Sequence, residues 1–164
     1  MYDDDPHGTQ TQQMEAGEIT EGDRLPLIRD RIVLETVQMN LSGHVATAVV
    51  RLRAGGRRVS SRSVDRNAEA NRLRLLGDAA ARALTELLPV GYGALLADIR
   101  PVTTEVGEAV LAALTLLTPE GEQVLMGVAR TEDGGAEAAV RSVLNAVNRR
   151  LSFIFATRPL ISMN

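Results

Sequence analysis

The residues with the clearest chemical potential are arginines concentrated between positions 51 and 66. All 18 residues counted as lysine or arginine are arginine, so each of these basic side chains presents a planar guanidinium group. Such a group binds carboxylate or phosphate oxygens in a bidentate manner. The cluster therefore indicates a surface for an anionic ligand, an acidic partner or nucleic acid, and a solvated strand paired with nearby carboxylates is the alternative interpretation. The predicted anion-binding residues are Arg51, Arg53, Arg57, Arg58 and Arg62.

Serines among these arginines could act as nucleophiles if a base lay beside them. The base would be His44, the one histidine outside the first 24 residues, which could meet a serine across a hairpin. Glu35 shares the alternation of Val33 and Val37 and is therefore predicted on an apolar strand face. A carboxylate there is either paired with an arginine or available as an acid or base. These residues would suit a small enzyme with an apolar sheet cavity, but no motif supports a catalytic assignment.

Composition excludes several classes of protein. The chain has no cysteine, two histidines and 2% aromatic residues, so thiolate chemistry, a histidine metal site and base-stacking platforms are not expected. We predict no metal and no cofactor. A net charge of −3 also disfavours nucleic acid as a partner. No apolar run has the roughly 20 residues of a membrane span, and the acidic first residues do not resemble a secretory signal, so a cytoplasmic location is predicted.

Hydrophobic periodicity divides the chain into an acidic segment and one folded domain. Residues 1–24 hold seven acidic residues against Arg24 and are predicted to be a disordered tail. Residues 25–152 are predicted as a single α+β domain and residues 153–164 as a C-terminal tail. Alternation of apolar residues predicts strands at 31–42, 44–53, 57–65, 93–104, 107–118 and 122–131, and helical spacing predicts helices at 68–88 and 135–152.

The two halves, 31–88 and 93–152, form an internal repeat with a period of about 64 residues. Each half reads strand–strand–strand–helix, and two halves side by side predict a sheet with both helices on one face, a two-layer sandwich. Because strand 107–118 is apolar at nearly every position, a second copy is expected to cover the open face, which gives a homodimer. The repeated pairs are Gly56/Gly121, Val59/Val124, Leu76/Val140, Ala80/Leu144, Ala83/Val147 and Leu87/Leu151.

The second half resembles the C-terminal regulatory domain of 2-isopropylmalate synthase. The likeness is carried by an apolar strand, a turn at Gly121, a strand ending at Gly127, an acidic residue near a helix start, and the helix residues 143–149. Tandem strand–strand–strand–helix units extend it over residues 31–152. The catalytic barrel of the synthase has no counterpart in this chain. The resemblance implies a domain that dimerises and binds a feedback inhibitor, leucine in that family, at the dimer interface.

The resemblance also implies where a small carboxylate or amino-acid ligand would bind. In the family, glycine-rich segments before the helices let backbone amides approach the ligand closely. The matching segments here are residues 64–70, which contain no glycine, and residues 127–133, which keep Gly127 and an acidic residue. The predicted ligand-binding residues are Asp65, Arg66, Asn67, Arg130, Glu132 and Asp133.

Three functions remain open from the sequence. The preferred one is a non-catalytic module that senses a small ligand or assembles as a homodimer, of the kind that regulates amino-acid biosynthesis. The second is a binding protein that uses the arginine hairpin for an anionic partner or nucleic acid. The third is a small cyclase-type or isomerase-type enzyme that uses Glu35 or His44, and we expect it least.

Overall fold

The computed structural model describes residues 31–132 and 135–157. The predicted acidic tail over residues 1–24 lies outside the described residues, as do residues 158–164. The elements, in chain order, are β1 (Val33–Ser42), β2 (Val45–Ala54), β3 (Arg57–Arg66), α1 (Glu69–Leu87), β4 (Gly93–Thr104), β5 (Gly107–Thr118), β6 (Gly121–Arg130) and α2 (Gly135–Thr157). The last helix therefore continues past residue 152, the predicted end of the domain.

The structure confirms an α+β protein with two strand–strand–strand–helix units. Strands β1, β2 and β3 form one antiparallel sheet, sheet A, and β4, β5 and β6 form a second, sheet B. The expectation of one continuous sheet is wrong, because no strand pairing joins sheet A to sheet B within the described residues. Each helix packs on the second and third strands of its own unit and contacts the first strand of the other unit. The helices therefore hold the two sheets together.

Backbone hydrogen bonds repeat with the predicted period. Asn67 donates its N–H to the His44 carbonyl at 2.9 Å, and at the equivalent place in the second unit Thr131 donates to the Glu108 carbonyl at 3.1 Å. Each bond joins the segment between the third strand and the helix of a unit to the start of the second strand of the same unit. The same offset in residue number relates both partners of the first bond to those of the second. The two units are therefore equivalent in detail around β2–β3 and β5–β6.

The glycine pair and the valine pair of the repeat are both wrong by one residue, since Gly121 corresponds to Arg57 and not to Gly56. β3 begins at Arg57 and β6 at Gly121, so Val59 corresponds to Gln123 and not to Val124. Val59 lies half-buried on the helix side of sheet A, whereas Val124 lies on the opposite side of sheet B and is 71% exposed. Two valines that look equivalent in the sequence therefore occupy opposite faces of their sheets.

The core lies between the sheets and the helices. Alternate residues from Ala46 to Leu52 in β2, and from Val110 to Leu116 in β5, are at most 1% exposed. Full burial of a valine or leucine side chain contributes about 1.5–3 kcal/mol, so these two strands anchor the fold. The helix positions paired by the repeat are buried as well: Leu76, Ala80, Ala83, Leu87, Val140, Leu144, Val147 and Leu151.

Local sequence signals set the ends of the elements. Gly55 has φ 56° in the two-residue turn between β2 and β3, a conformation that favours glycine. α1 ends at Leu87 because Pro89 holds Leu88 in an extended conformation, with ψ 155°. Neither helix within the described ranges combines enough length with enough apolar character to cross a membrane.

Candidate functional site

The outer face of sheet A, turned away from the helices, carries most of the clustered arginines. Alternation along β2 and β3 places five exposed arginines on this side, which we call the arginine face. Arg53 lies directly opposite Arg58 in the strand register, and Arg51 lies opposite Ser60. Like charges that face each other across a ladder are unfavourable unless an opposite charge lies nearby. The arginine face consists of Arg51, Arg53, Arg58, Arg62 and Arg66.

A β-bulge places Glu35 between two of these arginines. The register of β1 against β2 shifts between Leu34 and Thr36, which turns the Glu35 side chain onto the arginine face. Its Oε1 accepts a hydrogen bond from Arg58 Nε at 2.9 Å and lies 3.2 Å from Arg53 Nε. The prediction that Glu35 shares a face with Val37 is therefore wrong. One carboxylate relieves the repulsion between two facing arginines.

Arg57 does not belong with the other four arginines of the predicted anion-binding set. It pairs with Ala54 at the start of β3, and its side chain projects on the opposite side of the sheet from Arg58. Its Nη2 donates to the Glu86 carbonyl at 2.9 Å, in the last turn of α1. A cation at a helix C-terminus is favourable because unpaired carbonyls concentrate partial negative charge there. The position of Arg57 therefore indicates a structural role.

The first group of predicted ligand-binding residues lies at the end of β3. Asp65 Oδ1 accepts from the N–H of Arg66 at 2.6 Å, and Asn71 donates to its Oδ2 at 3.5 Å. Asn67 donates from Nδ2 to the Gly43 carbonyl at 3.1 Å. Arg66 lies on the arginine face. Asp65 and Asn67 thus make local bonds around the start of α1, and Asp65 also lines a cavity.

The second predicted group lies at the end of β6. Arg130 Nη1 lies 2.8 Å from a Glu132 carboxylate oxygen, and its Nη2 donates to the Val106 carbonyl at 3.2 Å. Asp133 lies outside the described residues. The hydrogen bonds and the ion pair of each group join residues of a single unit. Ligand binding by these residues stays a prediction.

A polar cavity of about 450 Å³ lies between β3 and α1. Its lining includes two aspartates and two arginines, of which Arg82 belongs to α1 and Arg62 belongs to the arginine face. The Ser63 hydroxyl in the lining is buried, with 4% of the residue exposed, and has no hydrogen-bond partner within residues 31–132 and 135–157. An unpaired buried hydroxyl costs free energy, so a polar group entering the cavity would be stabilised there. The lining is Arg62, Ser63, Val64, Asp65, Leu75, Asp78 and Arg82.

The other unit is tightly packed at the position that corresponds to this cavity. Gly127 corresponds to Ser63, and a Cβ added to it would lie 2.2 Å from the Ser142 carbonyl oxygen and 2.4 Å from Ala146 N. Ser142 and Ala146 correspond in turn to residues 78 and 82 of the cavity lining. In sheet B the absence of a side chain lets α2 lie directly on β6. In sheet A serine, aspartate and arginine stand at the same places and leave a cavity.

The pKa of Asp78, in the cavity lining, is shifted by its surroundings. Burial raises the pKa of its carboxyl above the ordinary value of 3.8, and the neighbouring Asp65 acts in the same direction. Arg74 and Arg82 act in the opposite direction. The sequence interpretation missed Asp78 and Arg82. Extending the alignment of the two repeats to polar positions would have revealed them, since a charged residue stands where the other unit has serine or alanine.

The residues considered for catalysis are not brought together. His44 is exposed at the turn between β1 and β2, and its backbone carbonyl accepts the bond from Asn67. Glu35 lies on the arginine face, and neither residue lines the polar cavity. In the described part of the chain, no three histidine, cysteine, aspartate or glutamate side chains form a group that could hold a metal ion. The geometry lends no support to the enzyme hypothesis.

The outer face of sheet B differs sharply from the arginine face. Val124, Met126 and Val128 project from β6 with 71%, 63% and 47% exposure, and Leu95 projects from β4 with 57%. Strand register places half-buried residues of β5 between them. Exposed apolar surfaces on folded domains are a general feature of interaction sites. The apolar face consists of Leu95, Leu111, Ala113, Leu117, Val124, Met126 and Val128.

Comparison with known proteins gives no assignment for either surface. No protein-family model matches the chain, and the search of curated proteins found no match.

Proposed function

We propose that this chain is a non-catalytic assembly module that forms a homodimer by stacking its apolar face on the same face of a second copy. The observation that carries the proposal is the exposure of Val124 and Met126, which project from a sheet face shared with Leu95, Leu111 and Val128 and, on the edge strand β4, with Asp98 and Arg100. Burial of this face would remove exposed apolar area from water. A cytoplasmic location remains a prediction.

The size of the apolar face suits a dimer. Three paired strands of ten to twelve residues present a surface of roughly 35 Å by 15 Å, from strand rise and spacing. That is about 500 Å² before pleating is counted, of the same order as the about 800 Å² per partner of a standard interface. Two such sheets stack about 10 Å apart with interdigitated side chains.

The charges around the apolar face favour a second copy as the occupant. Asp98 lies 3.8 Å from Arg100 along β4, and Arg130 pairs with Glu132 beyond β6. The charges on the edge strand and beyond β6 therefore balance, and two copies related by a twofold axis would meet without repulsion. The arginine face could not stack on itself, because five guanidinium groups would meet five others. Charge thus favours pairing through sheet B.

The test introduces one charge at equivalent positions of the two outer faces. Val128 is 47% exposed on the apolar face, and Val64 is 54% exposed at the corresponding position on sheet A. V128R would bury an unpaired guanidinium in the dimer and is expected to raise the dimer dissociation constant by about 100-fold or more. V64R adds the same charge outside the interface and should leave the dissociation constant unchanged. Light scattering after size exclusion measures both.

Circular dichroism and thermal unfolding of both variants show whether the fold is retained. A wild-type chain that is monomeric at every concentration would overturn the proposal. So would a folded V128R that dimerises as strongly as the wild type. Equal weakening by both variants would indicate an interface that is not confined to sheet B, and would overturn it as well.

A second candidate function is the sensing of a small ligand in the polar cavity. It is favoured by the buried Ser63 hydroxyl, which has no partner among the described residues. The aspartates of the lining and Arg82 of α1 match a small molecule that carries both charges, such as an amino acid. The ligand's carboxylate would meet Arg82 and its ammonium group would meet Asp65 or Asp78.

Thermal unfolding in the presence of branched amino acids and small carboxylates tests this candidate. A ligand at 100 times its dissociation constant stabilises the folded state by about 2.7 kcal/mol. R82A should remove that stabilisation. R74A should keep it, because Arg74 is also next to Asp78 but does not line the cavity. If no compound of either class raises the melting temperature, the candidate fails.

A further inference from the structure

We infer that the arginine face is an intramolecular docking surface for the acidic segment of the same chain, residues 1–24. This inference concerns sheet A and is independent of the dimer proposed through sheet B. The charge of the segment identifies it as the occupant of the arginine face, since it carries seven acidic residues and one arginine. The docked segment would screen the arginine face from other polyanions and would make its availability depend on salt.

The arginine face has more positive charge than its own carboxylates neutralise. Glu35 is the carboxylate that bridges Arg53 and Arg58. Within the described residues, Arg51, Arg62 and Arg66 form no ion pair. Five exposed guanidinium groups against one carboxylate repel each other, and additional carboxylates would lower that repulsion. The face therefore attracts an acidic segment rather than an apolar one.

The acidic segment joins the fold beside the arginines. Val33 is the first residue of β1 and lies opposite Arg53 in the strand register, and Arg53 in turn lies opposite Arg58. Residues 15–23 contain four carboxylates and precede Val33 by 10 to 18 positions. A chain of ten residues spans at most about 33 Å, which matches the roughly 30 Å length of β2 and β3. These carboxylates can therefore reach every arginine of the face.

Glu35 already demonstrates the contact that the segment would extend. Its carboxylate enters the arginine face from β1 and lies close to Arg58 Nε and Arg53 Nε, at 2.9 and 3.2 Å. From Ile32, which is buried and whose backbone is hydrogen bonded to the Asn148 side chain of α2, the acidic segment is long enough to pass the edge of β1 and reach this face. Covalent attachment also gives it a high effective concentration, of the order of millimolar for a short linker, so individually weak ion pairs suffice.

Paramagnetic relaxation in the full chain tests the inference. The chain has no cysteine, so A16C provides a single attachment point for a nitroxide within the acidic segment. We expect the amide signals of β2 and β3 to lose at least twice as much intensity as those of β5 and β6. At about 1 M salt, where the Debye length is only about 3 Å, the difference should vanish. A16C with Glu15, Glu18 and Glu21 changed to Gln and Asp23 to Asn is the matched control, and it should show no difference.

Each other outcome overturns the inference. Equal broadening of both sheets, or none, means that the segment does not dock. Stronger broadening on sheet B means that the segment covers the apolar face instead. Mixing spin-labelled unenriched protein with unlabelled isotope-enriched protein separates the two sources, and signal loss in that mixture equal to that in the singly labelled sample would assign the contact to a second copy.

Binding of a polyanion provides a second measurement. The probe is a fluorescent single-stranded thymidine 20-mer at low salt, which binds basic surfaces through its phosphates. The variant with the four neutralised acidic residues should bind it at least tenfold more tightly than the wild type, and R58S with R62S in that background should remove the gain. Equal binding by the wild type and the neutralised variant would mean that the arginine face is open to nucleic acid, and would overturn the inference.

Discussion

The outer faces of sheets A and B occupy equivalent places in a repeated fold and have opposite chemistry. Ser60 and Arg62 of β3 correspond to Val124 and Met126 of β6. The inner faces of the same strands both pack against helices, although Ser61 and Ser63 of β3 correspond to Leu125 and Gly127 of β6. Alternate residues of one strand thus serve different purposes. The inward set specifies the fold, and the outward set is free to become a charged or an apolar surface.

A second contrast lies beneath these faces. Gly127 lets α2 lie directly on β6, whereas Ser63, Asp78 and Arg82 at the corresponding places leave a polar cavity beside β3. The unit with the tightly packed interior carries the apolar outer face, and the unit with the cavity carries the arginine face. This division suggests that the second unit supports assembly and that the first is the one available for ligands.

The largest effect is expected from giving sheet A the outer residues of sheet B. Arg51→Thr, Arg53→Leu, Ser60→Val and Arg62→Met together would create a second, largely apolar face on the opposite sheet. Two self-complementary faces on one chain link dimers into open-ended assemblies. We therefore expect oligomers that grow with concentration, measured by sedimentation velocity.

The matched control for that exchange is Arg51→Thr, Arg53→Gln, Ser60→Thr and Arg62→Gln together. It removes the same positive charge without adding apolar surface, and it should sediment as the wild type does. If the valine and methionine variant also sediments as the wild type does, an exposed apolar sheet face is not sufficient for association in this fold.

The second prediction concerns the close packing in the second unit. Gly127→Ser installs the residue of the first unit, and its Cβ would lie 2.2 Å from a backbone oxygen of α2. Because backbone atoms must move to admit it, we expect a loss of about 3 kcal/mol in the free energy of unfolding. Urea denaturation measures this loss. The reverse exchange, Ser63→Gly, should cost no more than about 1 kcal/mol. Similar losses for both would mean that the two units are packed alike.

Much of the fold could be predicted from the sequence because it depends on local alternation. The predicted strands 93–104 and 107–118 match β4 and β5 at both ends, and the helix predicted at 68–88 is observed at Glu69–Leu87. The parity of the arginines in β2 and β3 was also correct. Period-two alternation and glycine turns are properties of the residues themselves, so they need no knowledge of the neighbouring elements.

Features that depend on distant contacts could not be predicted. The bulge in β1 places Val33 and Glu35 on the outer face and Val37 and Met39 on the inner face, although these residues alternate in the sequence as in a regular strand. The separation into two sheets depends on how each helix packs against the first strand of the other unit. The sequence of a single strand does not contain that information. The polar cavity follows from differences between the repeats at Ser63 and Asp78. Its prediction requires an alignment that places these residues opposite Gly127 and Ser142.

Arg57 allows a smaller test of the comparison. It caps α1 by donating to the Glu86 carbonyl, whereas the corresponding residue of the second unit is Gly121 and provides no such cap. Arg57→Ala should lower the free energy of unfolding by about 1 kcal/mol and increase hydrogen exchange in the last turn of α1. Arg58→Ala, from the neighbouring position on the arginine face, should leave that exchange unchanged. Equal effects of the two variants would place Arg57 with the arginine face after all.

The smallest effect is expected at Asp78, whose counterpart in the second unit is the uncharged Ser142. Because burial raises the pKa of Asp78, the folded protein binds its proton more tightly than the unfolded chain does. The stability from this group is complete below the ordinary pKa of 3.8 and is lost as the pH rises through the folded value. Asp78→Asn should therefore be more stable than the wild type by about 0.5 kcal/mol at pH 7, after allowance for screening by solvent, and equal to it near pH 3. Urea denaturation at both pH values measures the difference. If the variant is the less stable one at pH 7, attraction to Arg74 and Arg82 outweighs burial, and the first unit holds a structural ion cluster where we place a ligand cavity.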